Sequence, residues 1–228
     1  MHLRAALLLA AVCLRAGVAQ AAPPVEVMVG SSPLNVAVES QKDVRFGATI
    51  RQQYDFSCGS AAVATLLTFH YGMPTTEQQA FEAMYASGDQ RKIRSEGFSL
   101  LDMKRFLASR GFEADGFELP LEKLSEARIP AIVLITENGY HHFVVVKGLR
   151  EGRVLLGDPT KGGRLLSRRQ FDAVWQNRLL FVVHNQQDLA SFNALAEWRS
   201  LPRAPLASGV VRDPMSSAVP PRMGPHEL

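Results

Sequence analysis

The sequence predicts an α+β fold, with helices in the first half of the chain and an antiparallel sheet in the second. Two observations support this prediction. Stretches of helical length with capping residues and terminating glycines occur before Gly111. Short β-branched and aromatic runs follow, separated by turns such as Asn138-Gly139 and Glu151-Gly152. Since the helices precede the strands, we expect N-terminal helices to pack on one antiparallel sheet.

The first 21 residues have the features of a secretory signal peptide. Arg4 supplies a basic start, residues 5–14 form an apolar run, and Ala19-Gln20-Ala21 is a small-residue end. We expect cleavage after Ala21. The apolar run is too short to span a membrane. The mature protein is therefore expected in the periplasm.

The composition fits one globular domain and does not indicate nucleic-acid binding. The chain has 228 residues, of which 46% are hydrophobic and 21% charged, with a formal charge of +3. Removal of the signal peptide takes away Arg4, Arg15 and Cys13, which leaves 23 basic residues against 22 acidic ones. Cys58 then remains as the only cysteine. An unpaired cysteine in an oxidising compartment indicates a function for its thiol.

The elements before the sheet follow from capping signals. Weak alternation over 36–50 predicts a strand. Ser57 is expected to cap a helix over 58–71 through its hydroxyl, and Gly72 ends that helix. Thr75-Thr76-Glu77-Gln78 predicts a capping box for a second helix, which ends at Ser87-Gly88. Ser99 and Asp102 begin an amphipathic helix that Gly111 terminates.

The elements of the second half alternate strands with short helices. Helices are expected over 121–127 and, capped by Ser167 and Gln170, to about 176. Lys161-Gly162-Gly163 is interpreted as a loop. The predicted strands cover residues 112–117, 130–135, 140–149, 153–157 and 179–183.

Cys58 is the candidate nucleophile. A cysteine in the first turn of a helix feels the positive end of the helix dipole, which favours the thiolate. Gly59 and the small residues after it leave room for a substrate backbone, although they serve helix packing equally well. The alternative interpretation is a buried structural cysteine, because cysteine is among the residues most often buried. The choice between a catalytic and a structural cysteine therefore depends on the side chains that lie beside Cys58.

His142 and Asp158 are the candidate partners of Cys58. A cysteine nucleophile needs a base, and that base needs a third group to orient it. If the strands are antiparallel about Glu151-Gly152, His142 and Asp158 lie nearly opposite one another, which predicts a contact. Taken alone, Asp158 is typical of an Asp-Pro turn and His142 of a satisfied core histidine. His141 is expected to face the other way, and we interpret His70 as structural.

A donor for the oxyanion completes the predicted site. The charge that develops on an attacked carbonyl oxygen is stabilised by hydrogen-bond donors placed beside the nucleophile. Gln52 precedes Cys58 by six residues, far enough for a loop to bring its amide beside the backbone N–H of Cys58. Gln53 is adjacent, and spacing alone does not choose between the two.

Together these motifs resemble the papain-like peptidases that remove double-glycine leaders from bacteriocin precursors. The resemblance covers residues 50–183 and rests on the stretch 52–62, the strand 142–146 and the Gly157-Asp158-Pro159 turn. The family pattern implies that the site residues are Gln52 rather than Gln53 and His142 rather than His141. Cys58 and Asp158 complete the implied set. Ser57 stands where the family often has Asp. No ABC-transporter segment accompanies the domain, as in the stand-alone exported branch, some of whose members accompany functional-amyloid secretion.

The resemblance implies a domain organisation and an activity. Residues 1–21 are the signal peptide, 22–49 an extended lead-in, 50–185 a papain-like cysteine peptidase domain, and 186–228 an extension that is mostly flexible from about 201. The implied activity is hydrolysis after a small-residue pair such as Gly-Gly, through a thioester on Cys58. The implied substrate is an exported amyloid or a leader-bearing polypeptide, with an outer-membrane secretion complex as candidate partner.

Three other functions fit parts of the same pattern. A metal site formed by Cys58, His142 and Asp158 is disfavoured because no CxxC or HExxH spacing supports it, and we expect neither metal nor cofactor. A non-cleaving peptide-binding or assembly factor would use the same groove without catalysis. An acyl or amide transferase would pass the acyl group of the thioester to an amine.

The C-terminal tail from about 201 is expected to be dispensable for catalysis.

Overall fold

This computed structural model describes residues 25–29, 32–36 and 41–201. Two compact units divide between residues 40 and 41. In the first unit, β1 (Val25–Val29) pairs antiparallel with β2 (Ser32–Val36), so the lead-in that the sequence suggested holds a hairpin. The predicted signal peptide and the tail beyond 201 lie outside the described residues.

Five helices precede the sheet in the second unit. The strand predicted within 36–50 is wrong, because residues 41–46 are helical, with Asp43 in the first turn and Arg45 in the last, where each complements the helix dipole. A fourth helix was missed: Asp89 caps it by accepting from the backbone N–H groups of Arg91 and Lys92. The five helices are α1 (Gln41–Phe46), α2 (Cys58–His70), α3 (Glu77–Ser87), α4 (Gln90–Glu96) and α5 (Leu100–Ser109).

The capping boxes show how closely local signals place helix ends. Helix α5 begins as predicted, with the Ser99 hydroxyl and the Asp102 carboxylate satisfying each other's backbone N–H groups. For α3 the prediction was one residue early. Thr76 forms the box with Gln79, while the Thr75 hydroxyl donates to the carbonyl of Met73.

The sheet has six antiparallel strands in the order β3-β8-β4-β5-β6-β7, which confirms the α+β class. Lys161-Gly162-Gly163, predicted as a loop, instead leads into a strand, because Gly162 adopts a φ of +77° and turns the chain directly after β6. The second-half elements are β3 (Ala114–Glu118), α6 (Glu122–Ala127), β4 (Ala131–Glu137), β5 (Tyr140–Arg150), β6 (Arg153–Asp158), β7 (Gly162–Ser167), α7 (Arg168–Val174) and β8 (Leu179–Val183).

Each face of the sheet supports its own hydrophobic core. Ile132 and Val145 pack with the cluster formed by the N-terminal helices. Val133 and Val144 pack with the cluster that contains Trp175 after α7. Successive residues of a strand point to opposite faces, so β4 and β5 contribute alternately to the two cores. The helix that begins at Cys58 is thereby held against the central strand β5.

Residues 187–200 fold back onto this unit. A 3₁₀ turn (Gln187–Leu189) and α8 (Leu195–Ser200) follow the last strand. The side-chain oxygen of Asn193 accepts from the backbone N–H of Leu149 at 2.8 Å. The buried Lys147 ammonium pairs with Glu197 and donates to the carbonyl of Ala48. Lys147 lies at a register shift between β5 and β6, and that irregularity accommodates the returning segment.

Candidate active site

Cys58 is the first residue of α2 and is 7% exposed. Ser57 precedes the helix, but it does not cap it through its side chain as predicted. Its hydroxyl instead donates to the carbonyl of Tyr54 and accepts from the Tyr54 N–H, so that it closes the loop before the helix. The backbone N–H groups at the start of α2 remain directed towards the cysteine.

The thiol of Cys58 is less acidic than the helix dipole alone suggests. Burial raises its pKa, and this outweighs the lowering by hydrogen bonds from the backbone N–H groups of Phe143, Gly59 and Cys58 itself. The expectation that the helix start favours the thiolate is therefore corrected for the free protein. The contact with Phe143 places the sulfur beside the residue that follows His142 on β5.

The small residues after Cys58 serve helix packing. A Cβ atom on Gly59 would lie 2.9 Å from the Cβ of Phe98, and Ser60, Ala61 and Ala62 are fully buried. Room for a substrate backbone, the other interpretation, is not what Gly59 provides. It lets α2 approach the segment before α5 closely.

His142 and Asp158 are in contact, as the turn geometry predicted. His142 Nε2 lies 3.3 Å from Asp158 Oδ2, and both side chains are almost completely buried. The register differs from the predicted one. Arg150 pairs with Arg153 and, after the irregularity at Lys147, Val145 pairs with Gly157. Asp158 is thus diagonal to His142, offset by two residues, within the reach of cross-strand side chains.

Asp158 is held by more groups than the sequence indicated. Its Oδ1 accepts from the backbone N–H groups of Thr160 and Lys161, at 2.9 and 3.1 Å. Its Oδ2, besides meeting His142, accepts from Arg164 Nη1 at 2.8 Å. Burial alone would raise the pKa of Asp158, but the hydrogen bonds and charges of these partners hold it well below its usual range. The carboxylate is therefore ionised and fixed in orientation.

The other ring nitrogen of His142 has no partner. Nδ1 is buried and makes no hydrogen bond among the described residues. Because Nε2 faces Asp158, Nδ1 is the atom available to exchange a proton with the sulfur. A ring that is oriented on one side and unbound on the other suits a general base.

Gln52 lies between the cysteine loop and the aspartate turn. Its backbone N–H donates to the carbonyl of Pro159 at 3.1 Å. Its side-chain Nε2 donates to the carbonyls of Tyr54, at 2.9 Å, and Asp55, at 3.4 Å. The amide thus closes the loop that leads into α2, and its Oε1 has no partner in the described part of the chain.

His141 and His70 lie as the sequence suggested. His141 is exposed and its Nδ1 lies 2.8 Å from the Thr136 hydroxyl, on the side of the strand away from His142. His70 is buried at the end of α2, 2.6 Å from the carbonyl of Ser191. Neither residue reaches the cysteine site.

Two residues near the site were missed. Tyr140 precedes His142 by two positions on β5, its ring centroid is 5.6 Å from that of His142, and its hydroxyl donates to the carbonyl of Asp55. The period of two along a strand could have indicated it. Arg164 could be found only by recognising β7, because its place beside Asp158 depends on the pairing of β6 with β7.

Within 25–29, 32–36 and 41–201, no three His, Cys, Asp or Glu side chains cluster as metal ligands would. No helix in the same ranges has the length and apolar character needed to cross a membrane.

Comparisons with known proteins agree with this geometry. The chain is 38% identical over 173 residues to a probable functional amyloid protease FapD of Pseudomonas fluorescens, covering 76% of each chain. It is 40% identical over 149 residues to the protein of that name from Pseudomonas aeruginosa, covering 65% of this chain and 66% of that one. The peptidase domain of Streptococcus ComA, a bi-functional ABC transporter involved in quorum sensing, shares the fold with a TM-score of 0.50 and 20% identity, over 60% of this chain and 97% of that one.

The family model supplies the last comparison. Residues 48–187 match the model of the peptidase C39 family, a range that contains all four predicted site residues. The six-stranded antiparallel sheet with its N-terminal helices is accordingly the papain-like fold. The chain belongs to the peptidase C39 family, and it is a cysteine peptidase that acts on a polypeptide.

Proposed function

We propose that the protein cleaves exported polypeptides with a Cys58-His142-Asp158 triad assisted by Gln52. The observation that carries this proposal is the buried contact between Asp158 and His142 of β5, the strand whose Phe143 N–H contacts Cys58. This contact leaves His142 Nδ1 without a partner among the described residues. In a peptidase, that arrangement matches a nucleophile, a base and an orienting group.

The proposed reaction has two steps. His142 Nδ1 takes the proton of the Cys58 thiol, and the sulfur attacks the scissile carbonyl carbon. The amine then leaves with the proton held by His142, and a thioester remains on Cys58. Water, deprotonated by His142, attacks the thioester, which releases a carboxylate and returns the proton to the thiol. Asp158 stabilises the imidazolium in both steps.

The oxyanion is proposed to bind the Cys58 backbone N–H and the Gln52 amide. Nε2 of Gln52 carries two hydrogens, and one of them is engaged with the Tyr54 carbonyl at 2.9 Å. The contact with the Asp55 carbonyl is long, at 3.4 Å, so a charged oxygen can replace it. Donors of this kind contribute about 3 kcal/mol to transition-state stabilisation in other enzymes.

The substrate is proposed to be an exported bacterial polypeptide with Gly-Gly or Gly-Ala before the cut. The relatives named as probable functional amyloid proteases support an amyloid-related substrate. The signal-peptide features of residues 1–21 support a periplasmic location. An outer-membrane secretion complex is the proposed partner there.

Matched substitutions test the triad on a peptide that contains one Gly-Gly pair. Cys58→Ala and His142→Ala are expected to abolish cleavage, whereas His141→Ala, at the neighbouring but outward-facing histidine, is expected to retain it. Equal losses for the two histidine variants would contradict the assignment. Continued cleavage by Cys58→Ala would exclude the cysteine mechanism. Export of the partner polypeptide that survives this substitution would favour a non-cleaving binding factor.

A trapping experiment tests the substrate. The acyl group is captured on Cys58 from a periplasmic extract at low pH, where the thioester is hydrolysed slowly, and the attached peptide is sequenced. A small residue at the sulfur-bound end supports the proposal. A bulky or charged residue there would contradict the specificity, and an amine-modified product would indicate a transferase.

A further inference from the structure

Arg164 lies between two carboxylates at the edge of the site. Its Nη1 donates to Asp158 Oδ2 at 2.8 Å, and its Nη2 donates to Glu137 Oε1 at 2.7 Å. Nη1 also lies 3.2 Å from Glu137 Oε2, so the guanidinium binds Glu137 with both of its terminal nitrogens. Arg164 and Glu137 are mostly buried, and Asp158 is completely buried.

This arrangement connects strands that are not neighbours. Glu137 ends β4 and Arg164 belongs to β7, and in the sheet β5 and β6 lie between them. His142 stands on β5, within the span that the ion pairs bridge. The guanidinium therefore ties together the ends of the strands that carry the base and the orienting carboxylate.

Arg164 and His142 share one oxygen atom. Asp158 Oδ2 meets Arg164 at 2.8 Å and His142 at 3.3 Å, so the arginine has the shorter bond. A cation bound to this oxygen withdraws part of the negative charge that the imidazolium would otherwise feel. It also prevents the carboxylate from rotating away from the ring.

We propose that Arg164, anchored by Glu137, is a positioning residue that fixes Asp158 and sets how strongly this carboxylate stabilises the protonated His142. The inference rests on the proposed triad. It assigns to Arg164 no contact with the substrate. The same geometry makes Glu137 the group that holds the arginine in place and offsets its charge.

The charged surroundings of His142 determine the direction of the expected effects. Removal of the positive charge of Arg164 increases the net negative charge near the ring, which favours the imidazolium. Removal of the negative charge of Glu137 has the opposite effect. The charged and titratable groups around His142 are Asp55 in the loop before α2, Cys58 on α2, Glu137 on β4, Tyr140 on β5, Asp158 on β6, Lys161 in the turn before β7, and Arg164 on β7.

The test compares pH profiles of kcat/KM on the Gly-Gly peptide, together with the rate of Cys58 alkylation by iodoacetamide. Arg164→Met is expected to shift the acidic limb of both profiles to higher pH by about one unit, because His142 must be neutral to accept the thiol proton. Its kcat should fall about tenfold with KM unchanged, since the carboxylate loses one of its anchors. Glu137→Gln should shift the acidic limb to lower pH. Arg164→Lys, which keeps the charge but loses the fork, should keep the wild-type limb with a reduced kcat.

Arg168→Met provides the matched control. Arg168 also lies between two carboxylates, Glu122 and Asp172, but on α7, away from His142. Arg168→Met should leave the pH profiles of kcat/KM and of alkylation unchanged. Identical acidic limbs for Arg164→Met, Glu137→Gln and the wild type would overturn the role of Arg164, provided that cleavage still requires Cys58. Cleavage that survives Cys58→Ala would instead overturn the proposed function on which this role depends.

Thermal unfolding of each variant is measured beside the kinetics. Because Arg164→Met leaves the buried Asp158 without its arginine and leaves Glu137 paired with Lys161 alone, it is the variant most exposed to misfolding. Glu137→Gln and Arg164→Lys retain the guanidinium or a charge in its place. The downward shift expected for Glu137→Gln therefore decides the proposal even if Arg164→Met does not fold.

Discussion

His70 Nδ1 lies 2.6 Å from the carbonyl oxygen of Ser191, so the far end of the cysteine helix is bonded to the segment that returns after the last strand. The bond requires the tautomer with its hydrogen on Nδ1. Burial lowers the pKa of His70 to about 4, and the nearby Lys147 charge acts in the same direction. His70 is therefore neutral in the folded protein at neutral pH.

This neutral histidine predicts a loss of stability in mild acid. The unfolded chain binds a proton at His70 near pH 6.5, whereas the folded protein binds it only near pH 4. The contribution of neutral His70 to the free energy of unfolding is fully present above about pH 6.5. About 3 kcal/mol of it is lost as the pH falls towards 4. Urea unfolding at pH 7 and pH 4.5 measures the loss. His70→Asn should reduce the difference, whereas the exposed control His141→Asn should retain it.

The buried thiol predicts a dependence of Cys58 reactivity on its base. Burial raises the pKa of Cys58 above its ordinary value of 9.0. In His142→Ala, the alkylation rate with iodoacetamide should therefore rise with pH through and beyond 9.0. The wild type should react at neutral pH, because His142 can accept the proton. Identical rate profiles for the two proteins would show that His142 does not take the proton from Cys58.

Gly59 predicts an overpacking effect. In Gly59→Ala the new Cβ would meet the Cβ of Phe98 at 2.9 Å. The strain should exceed the roughly 1 kcal/mol that alanine gains in a helix, for a net destabilisation of about 1–2 kcal/mol in urea unfolding. Gly47→Ala is the control, since its Cβ would meet only the carbonyl oxygens of Val44 and Asp43, at an ordinary 3.4 and 3.8 Å. Equal stability of the two variants would contradict the close approach of α2 and Phe98.

The buried pair of Lys147 and Glu197 predicts strong coupling. Lys147 is 1% exposed, and burial lowers its pKa while Glu197 opposes that change. Lys147→Met alone should destabilise the protein by about 3 kcal/mol, because Glu197 and the Ala48 carbonyl lose their partner. Adding Glu197→Gln should restore part of that loss. Additive losses in the double-mutant cycle would show that the two side chains do not interact.

The helices and strands with strong local signals could be predicted from the sequence. Ser99 and Asp102 start α5 because they satisfy each other's backbone N–H groups. Asn138-Gly139 joins β4 to β5 because both residues adopt the positive φ that a tight hairpin turn requires. Strand β7 could not be predicted in this way. Its glycines look like a loop, and only the pairing of Gly163 with Gly157 makes them part of a sheet.

The contact of His142 with Asp158 was predictable, but its geometry was not. The turn at Glu151-Gly152 brings both residues to the same end of the sheet. The offset arises because the turn pairs Arg150 with Arg153, and the irregularity at Lys147 reduces it by one residue. The Lys147 ammonium is directed to Glu197, which is distant in the sequence. Arg164 escaped prediction for a similar reason, since its contacts with Glu137 and Asp158 join three separate strands.

The distribution of the site along the chain has a consequence for biosynthesis. Cys58 is synthesised with the early helices, whereas its proposed partners, His142 and Asp158, belong to β5 and β6. The hydrogen bond that holds the end of its helix requires Ser191, which follows the last strand. In the proposed mechanism, a half-made chain carries a thiol without His142, the base that removes its proton. Cleavage would then begin only when the last strands have assembled, so the nascent enzyme would be unable to digest itself or its neighbours.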